Sequence, residues 1–151
     1  MPELAATLAL GALLAAIAVI DIRTLRIPDA LNAALIAAGL IATWALQESM
    51  LNALIGAAAG YAILFAANAA YRAWRGRDGI GLGDAKLLAG AGAWLGWFGL
   101  PFVVLIGSAL GLAWVAGARI LGRRLDAQDA LAFGPFLCLG VFAVWLVQTY
   151  A

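Results

Sequence analysis

Two aspartates stand where the sequence turns between apolar and polar character. Asp21 directly follows Ile17-Ala18-Val19-Ile20, and Asp84 opens another apolar run in Gly81-Leu82-Gly83-Asp84-Ala85-Lys86-Leu87-Leu88. A carboxylate beside a long apolar stretch is costly to keep, and such residues point to function. Two carboxyls brought close together cannot both ionise readily, so one proton is shared between them. One then acts as a base toward a water held between them, while the other protonates a peptide carbonyl. This chemistry is aspartic-peptidase hydrolysis, and it calls for no metal, no cofactor and no covalent nucleophile. The flanking Gly81 and Gly83 are expected to permit positive φ and to let a substrate strand approach the backbone.

Each acidic residue also has a plainer reading. Asp84 at a helix start could cap backbone N–H groups, and Asp21 could pair with Arg23 or Arg26. Asp29, after Ile27-Pro28, is expected to cap the second helix. Asp78, Asp126 and Asp129 lie among arginines and read as a solvated, charge-balanced face. Histidine is absent and Cys138 is the single cysteine, so the usual neutral-pH base, an intramolecular disulfide and a Cys-x-x-Cys zinc site are all excluded.

The elements that must position these carboxyls are membrane helices. Apolar residues make up 66% of the chain and charged residues 11%, against roughly 45–50% and about 25% in soluble domains. The lipid bilayer is the solvent that suits such a composition. A net charge of +1 argues against nucleic acid as a partner. Met1-Pro2-Glu3-Leu4 lacks the basic start of a secretory signal, so the first run is expected to be a permanent span. The expected spans are 4–20, 30–46, 51–71, 85–98, 102–118 and 131–150, forming one membrane domain over residues 1–151. Gly99-Leu100-Pro101 is expected to separate the fourth and fifth runs, with the proline in the first turn of the new helix. The fourth run is short for a full crossing.

Charge sets the expected orientation. Arg23, Arg26, Arg72, Arg75, Arg77, Lys86, Arg119, Arg123 and Arg124 all fall in or beside the connections 1–2, 3–4 and 5–6. The opposite side carries Glu3 and Glu48. Basic residues flanking spans stay cytoplasmic, so both termini are expected outside and both aspartates at the cytoplasmic face. Trp44 and Tyr150 then mark the outer boundary, Tyr71 and Trp74 the inner one. Glycines four apart, Gly56 and Gly60, Gly92 and Gly96, Gly107 and Gly111, read as faces where helix backbones pack closely. Packing the first and fourth helices together would bring Asp21 and Asp84 to one depth. Placement on non-neighbouring helices or at opposite faces would undo the hydrolytic reading.

Three segments together resemble the type IV prepilin peptidases, membrane aspartic peptidases of the Gly-x-Gly-Asp kind. Asp21-Ile22-Arg23-Thr24-Leu25-Arg26-Ile27-Pro28-Asp29 resembles the family's Asp element followed by its Ile-Pro-Asn/Asp turn. Gly81 to Leu88, running on to Gly92 and Gly96, resembles its Gly-x-Gly-Asp-x-Lys-Leu signature. Ala132-Phe133-Gly134-Pro135-Phe136-Leu137 is similar to the Phe-Gly-Pro-Phe-Leu segment that opens its last helix. The likeness runs over nearly the whole chain. It implies that Asp21 and Asp84 are the catalytic pair, with Pro28, Gly81, Gly83 and Lys86 in support. It implies a prepilin or pseudopilin substrate with a short basic leader kept in the cytoplasm, hence a place at the cytoplasmic membrane in pilus assembly or protein secretion. Larger relatives carry an added N-terminal region with paired cysteines and N-methylate the product from S-adenosylmethionine. This sequence has no such region, so no methyltransferase activity is expected. The Tyr-Asp and Pro-Ala-Leu elements of presenilin-like proteases are missing.

Two other classes stand beside the peptidase. A small transporter would use Asp21 and Asp84 to bind a cation or relay protons, although two carboxylates offer few fixed ligands for a hard cation. A structural subunit of a secretion machine would leave both aspartates inert. Arg23, Arg26 and Lys86 are candidates to orient the carboxylates or to meet an acidic residue of the substrate.

Overall fold

A computed structural model describes residues 2–77, 79, 81–122 and 132–151. Expectations placed on Asp78, Arg123, Arg124, Asp126, Asp129 and the start of the sixth run at 131 lie outside the described residues. Among the described residues the chain is helical, with no strand. The elements are α1 (Pro2–Thr24), α2 (Asp29–Ala45), α3 (Met50–Arg75), α4 (Leu82–Ile120) and α5 (Gly134–Tyr150).

Local chemistry explains the ends of these helices. Leu25 takes a left-handed φ of 53° and closes α1 with its N–H on the Asp21 carbonyl. Pro28, with φ of −62° already set by its ring, precedes α2. Asp29 is therefore not the cap of the second helix. It is the first helical residue, and the capping position belongs to Pro28, which offers no side-chain acceptor. Ser49 caps α3 by accepting from the Asn52 N–H, and Gly76 ends it in the left-handed conformation.

The expected break between the fourth and fifth runs exists, but it sits at Gly96 and not at Gly99-Leu100-Pro101. Gly96 has φ of 67° and ψ of 179° inside α4, while Pro101 lies within the helix beyond it. A straight helix of this element's 39 residues would be about 58 Å long at 1.5 Å per residue. The contacts show that the two arms, 82–95 and 97–120, run in opposite directions. Gly83 and Gly134 both face Ile27, which fixes one end of the bundle. Leu95 and Gly99 both meet Gln148 near the other end of α5. From there Gly107 reaches Leu137, and Gly111 returns to Phe133 and Phe136.

The first arm of α4 is the centre of the bundle. Every residue from Leu87 to Leu95 is buried, and the run Ala89-Gly90-Ala91-Gly92-Ala93 is thin enough for neighbours to come very close. Gly56 of α3 packs on the backbone of Gly92 and Gly96, and Gly60 on that of Leu88. Gly39 and Leu35 of α2 meet Ala93, Trp94 and Gly90 on another side. Gly56, Gly60 and Gly92 thus form the close backbone faces expected of them, whereas Gly111 meets only the Phe133 and Phe136 rings and Gly96 is the break itself. Trp94 donates its Nε1–H to the Leu35 carbonyl at 2.9 Å and packs edge-on against Trp145, with centroids 5.3 Å apart.

Outward, the bundle shows Leu4, Leu8, Ile41, Leu51, Leu105 and Leu112, apolar side chains that suit lipid and not water. Helices α1, α3 and α4 are long and apolar enough to cross a membrane, and α2 and α5 are shorter apolar helices. Trp44 and Tyr150 are exposed, as is Trp74, over which the Arg75 guanidinium stacks at 4.4 Å.

The α3–α4 seam gives a direct test. A methyl added in Gly92→Ala would be driven into the Gly56 carbonyl, and overpacking of this kind costs about 1–3 kcal/mol. Gly117→Ala meets nothing within 4 Å and serves as the control. Thermal unfolding in detergent should show a lower midpoint for the first variant and an equal or slightly higher one for the second, since alanine favours a helix interior over glycine.

Candidate active site

Asp21 lies in the last turn of α1 and is 5% exposed. The C-terminal end of a helix carries partial negative charge, so a carboxylate there needs compensation. The first turn of α5 supplies it. The Gly134 N–H donates to Asp21 Oδ2 at 3.1 Å. As the first residue of α5, Gly134 has an amide without a partner inside its own helix, and it lies at the positive end of the helix dipole. Pro135 follows it and has no N–H to satisfy.

The glycine is also dictated by space. A Cβ at position 134 would stand 2.6 Å from Asp21 Oδ2 and 3.2 Å from Ile27 Cδ1. The Phe133-Gly134-Pro135 segment thus does more than open the last helix: it holds a carboxylate 113 residues away in sequence. Sequence reasoning noted the segment but not this bond. A Gly-Pro pair signals a helix start, whereas its partner depends on how α1 and α5 align.

Asp84 is the third residue of α4 and is half-buried. Its carboxylate enjoys the favourable end of its own helix. It is not the cap, because Gly81 holds that position. Gly81 has φ of −67°, and neither it nor Gly83 adopts positive φ, so the expected conformational role of these glycines is not what the structure shows. Gly83 is needed for closeness: a Cβ there would meet the Ile27 Cβ at 3.3 Å. A Cβ at Gly81 would stand 3.6 Å from Asp84 Oδ2, an ordinary contact.

The two aspartates share one end of the bundle. Ile27 touches both Gly83, beside Asp84, and Gly134, which binds Asp21. Cys138, one turn beyond Gly134 on α5, is buried at the same end. The helices carrying them are not packed directly, contrary to expectation. No Cα of α1 lies within 8 Å of one in α4. Side chains close that gap instead: Leu10, Leu14 and Ile17 of α1 share one core with Leu87, Leu88 and Leu95 of α4. Ile27, against both Gly83 and Gly134, links the two ends. The expected direct packing of the first and fourth helices fails, and what remains for the hydrolytic reading is that both carboxyls lie at one end of the bundle around a shared core.

Lys86 does not engage either aspartate of the pair. Its Nζ is 2.6 Å from Asp29 Oδ1, an exposed ion pair linking α4 to α2. Asp21 bonds to a backbone amide and not to Arg23 or Arg26. Pro28 positions the α2 start, on which Ile27, Asp29 and the buried Asn32 depend. Asn32 was not singled out in the sequence, although an asparagine inside an apolar run, three residues after Asp29, was a readable signal.

Comparisons with known proteins converge. Residues 8–116 match a protein-family model described as the type IV leader peptidase family. A Burkholderia pseudomallei (strain K96243) protein named prepilin leader peptidase/N-methyltransferase is 44% identical, covering 92% of this chain and 46% of its own length. Proteins of the same name from Dickeya chrysanthemi and Escherichia coli (strain K12) are 45% and 40% identical, over 86% and 82% of this chain and 48% and 55% of theirs. The chain spans about half the length of the curated relatives it matches. No solved structure matches it.

The Gly134 contact predicts an asymmetry between two glycines. Gly134→Ala must push the Asp21 carboxyl aside, and overpacking of this kind costs about 1–3 kcal/mol. Gly81→Ala meets only an ordinary contact and should leave stability nearly unchanged. Thermal unfolding of both variants in one detergent checks the difference.

Proposed function

The chain belongs to the type IV leader peptidase family, and on that footing we propose that it is an aspartic endopeptidase acting on type IV prepilin or pseudopilin precursors. Asp21 and Asp84 are its catalytic pair. The observation that carries the reading is the bond from the Gly134 N–H to Asp21, made at the end of the bundle where Asp84 begins α4.

The reaction follows from two carboxyls sharing one proton. The ionised carboxylate takes a proton from water as the water oxygen bonds to the scissile carbonyl carbon. The protonated partner gives its proton to the carbonyl oxygen, which yields a neutral tetrahedral diol. Collapse of the diol breaks the C–N bond: one diol hydroxyl gives its proton to the ionised carboxylate while the protonated carboxyl gives its proton to the leaving amine, which restores the single shared proton. The Cα separation beyond 8 Å suits a site that must admit water and an unwound peptide between the two side chains.

We read the opposed arms of α4 as two separate passages, which with α1, α2, α3 and α5 makes six. Arm 82–95 is about 21 Å long at 1.5 Å per residue, less than a hydrocarbon core of about 30 Å. We read its shortness as leaving one end inside the hydrocarbon boundary, with Asp84 at that end. Basic residues Arg23, Arg26, Arg72, Arg75 and Arg77 flank the aspartate end, while Glu3 and Glu48 belong to the other. This supports both termini outside, the site at the cytoplasmic face and residence in the inner membrane. The family model that matches is described by leader peptidase activity, and peptide-bond hydrolysis is the activity proposed for these residues.

Cleavage of a co-expressed prepilin should be lost, by about 10³-fold or more, in Asp21→Asn and in Asp84→Asn alike. Full cleavage by either variant would overturn the two-aspartate reading. Aspartate-dependent cation uptake in liposomes, with no cleavage, would replace it by transport.

A further inference from the structure

The start of α2 grips the start of α4 at three points. Ile27 packs on Gly83, Asp29 pairs with Lys86 at 2.6 Å, and Asn32 Nδ2 donates to the Gly83 carbonyl at 3.5 Å. The first two are a van der Waals contact and an exposed ion pair, the latter worth about 0–1 kcal/mol. Asn32 is different in kind. It is 2% exposed, and its Oδ1 is buried with no hydrogen-bond partner.

An asparagine so placed is a poor device for stability. An orphaned buried acceptor costs about 1–3 kcal/mol, and a leucine of similar size would fill the space without that cost. Nor does the Gly83 carbonyl need the bond, since at the second position of α4 it can accept from the N–H four residues on. Rotating the amide would set Oδ1 against the Gly83 oxygen, acceptor against acceptor, so the donor assignment is fixed by the chemistry. What the bond does do is fix the direction of the Gly83 peptide, and the next residue is Asp84.

We propose that Asn32 is a positioning residue: its side-chain amide ties Gly83 to α2 and so sets the attitude of the Asp84 carboxyl in the site. This rests on the peptidase reading above. The Ile-Pro-Asp turn gains a function by it: the turn starts α2 at the level where Asn32, one helical turn on, meets Gly83. Two of the three sequence segments thus act on one another, the first on the second, as the third acts on Asp21 through Gly134.

The test uses Asn32→Leu, which keeps the size and removes the donor, and Asn32→Ala, which removes the donor together with the rest of the amide. Steady-state cleavage of a purified precursor is measured for each, with thermal unfolding in the same detergent. Both variants should lose about 10–100-fold in kcat with KM unchanged, and the leucine variant should unfold no earlier than the parent. A kcat equal to the parent's in either folded variant overturns the proposal. So does a loss carried by KM, or a loss of rate that tracks a fall in unfolding temperature in both. Asp21→Asn and Asp84→Asn are measured alongside. If those cleave normally, the peptidase reading has failed; if they are inactive while Asn32→Leu is normal, only the role of Asn32 has.

Discussion

The bond between the Gly134 amide and Asp21 is the constraint on which this arrangement turns. A carboxylate in the last turn of an apolar helix faces that helix's own negative end and has few partners within reach. The chain answers with the unpaired amide at the start of α5. That solution fixes much else. It requires α5 to begin level with the end of α1, so the two run antiparallel, and it requires residue 134 to lack a side chain. At the far end of the same pair, Trp145 donates to Thr7 at 2.9 Å, and Thr7 and Tyr150 share a hydrogen bond of 3.1 Å. Alignment is thus pinned at both ends by polar contacts across an otherwise apolar interface.

The second carboxyl depends on packing more than on hydrogen bonding. Asp84 begins the central arm of α4, whose glycines and alanines let α2 and α3 close on it backbone to backbone. In lipid, close approach is what drives helix association, because burial of apolar surface offers little there. The core that holds Asp84 at its depth is therefore built from the smallest residues in the chain. The larger ones, Leu35, Leu88, Trp94 and Trp145, fill the corners around it.

Much of this was legible in the sequence, and the misses have physical causes. Composition and apolar runs revealed the membrane class and nearly every helix, because hydropathy needs no tertiary information. The two aspartates stood out for the same reason: charge beside an apolar run is conspicuous. The break in α4 was expected at Gly99-Leu100-Pro101, where punctuation is densest, yet it falls at Gly96, whose left-handed φ turns the chain. Pro101 is accommodated inside the second arm. The neighbourhood of α1 and α4 was expected to be direct, whereas α5 and Ile27 mediate it. Which helices touch is decided by shapes along their whole length, and no local pattern carries that. Gly134 and Asn32 were invisible as partners for a related reason, since each acts across 51 or more positions of sequence.

Whether the residue-21 and residue-84 side chains truly meet can be read by thiol cross-linking. In a Cys138→Ala background, Asp21→Cys and Asp84→Cys are joined by a reagent bridging about 10 Å, beyond the reach of a disulfide. A matched pair places the second cysteine at Glu48, at the other end of the bundle. The structure predicts efficient linking of 21 to 84 and none of 21 to 48. Failure of the first pair to link in folded protein, with both thiols reactive, would contradict it.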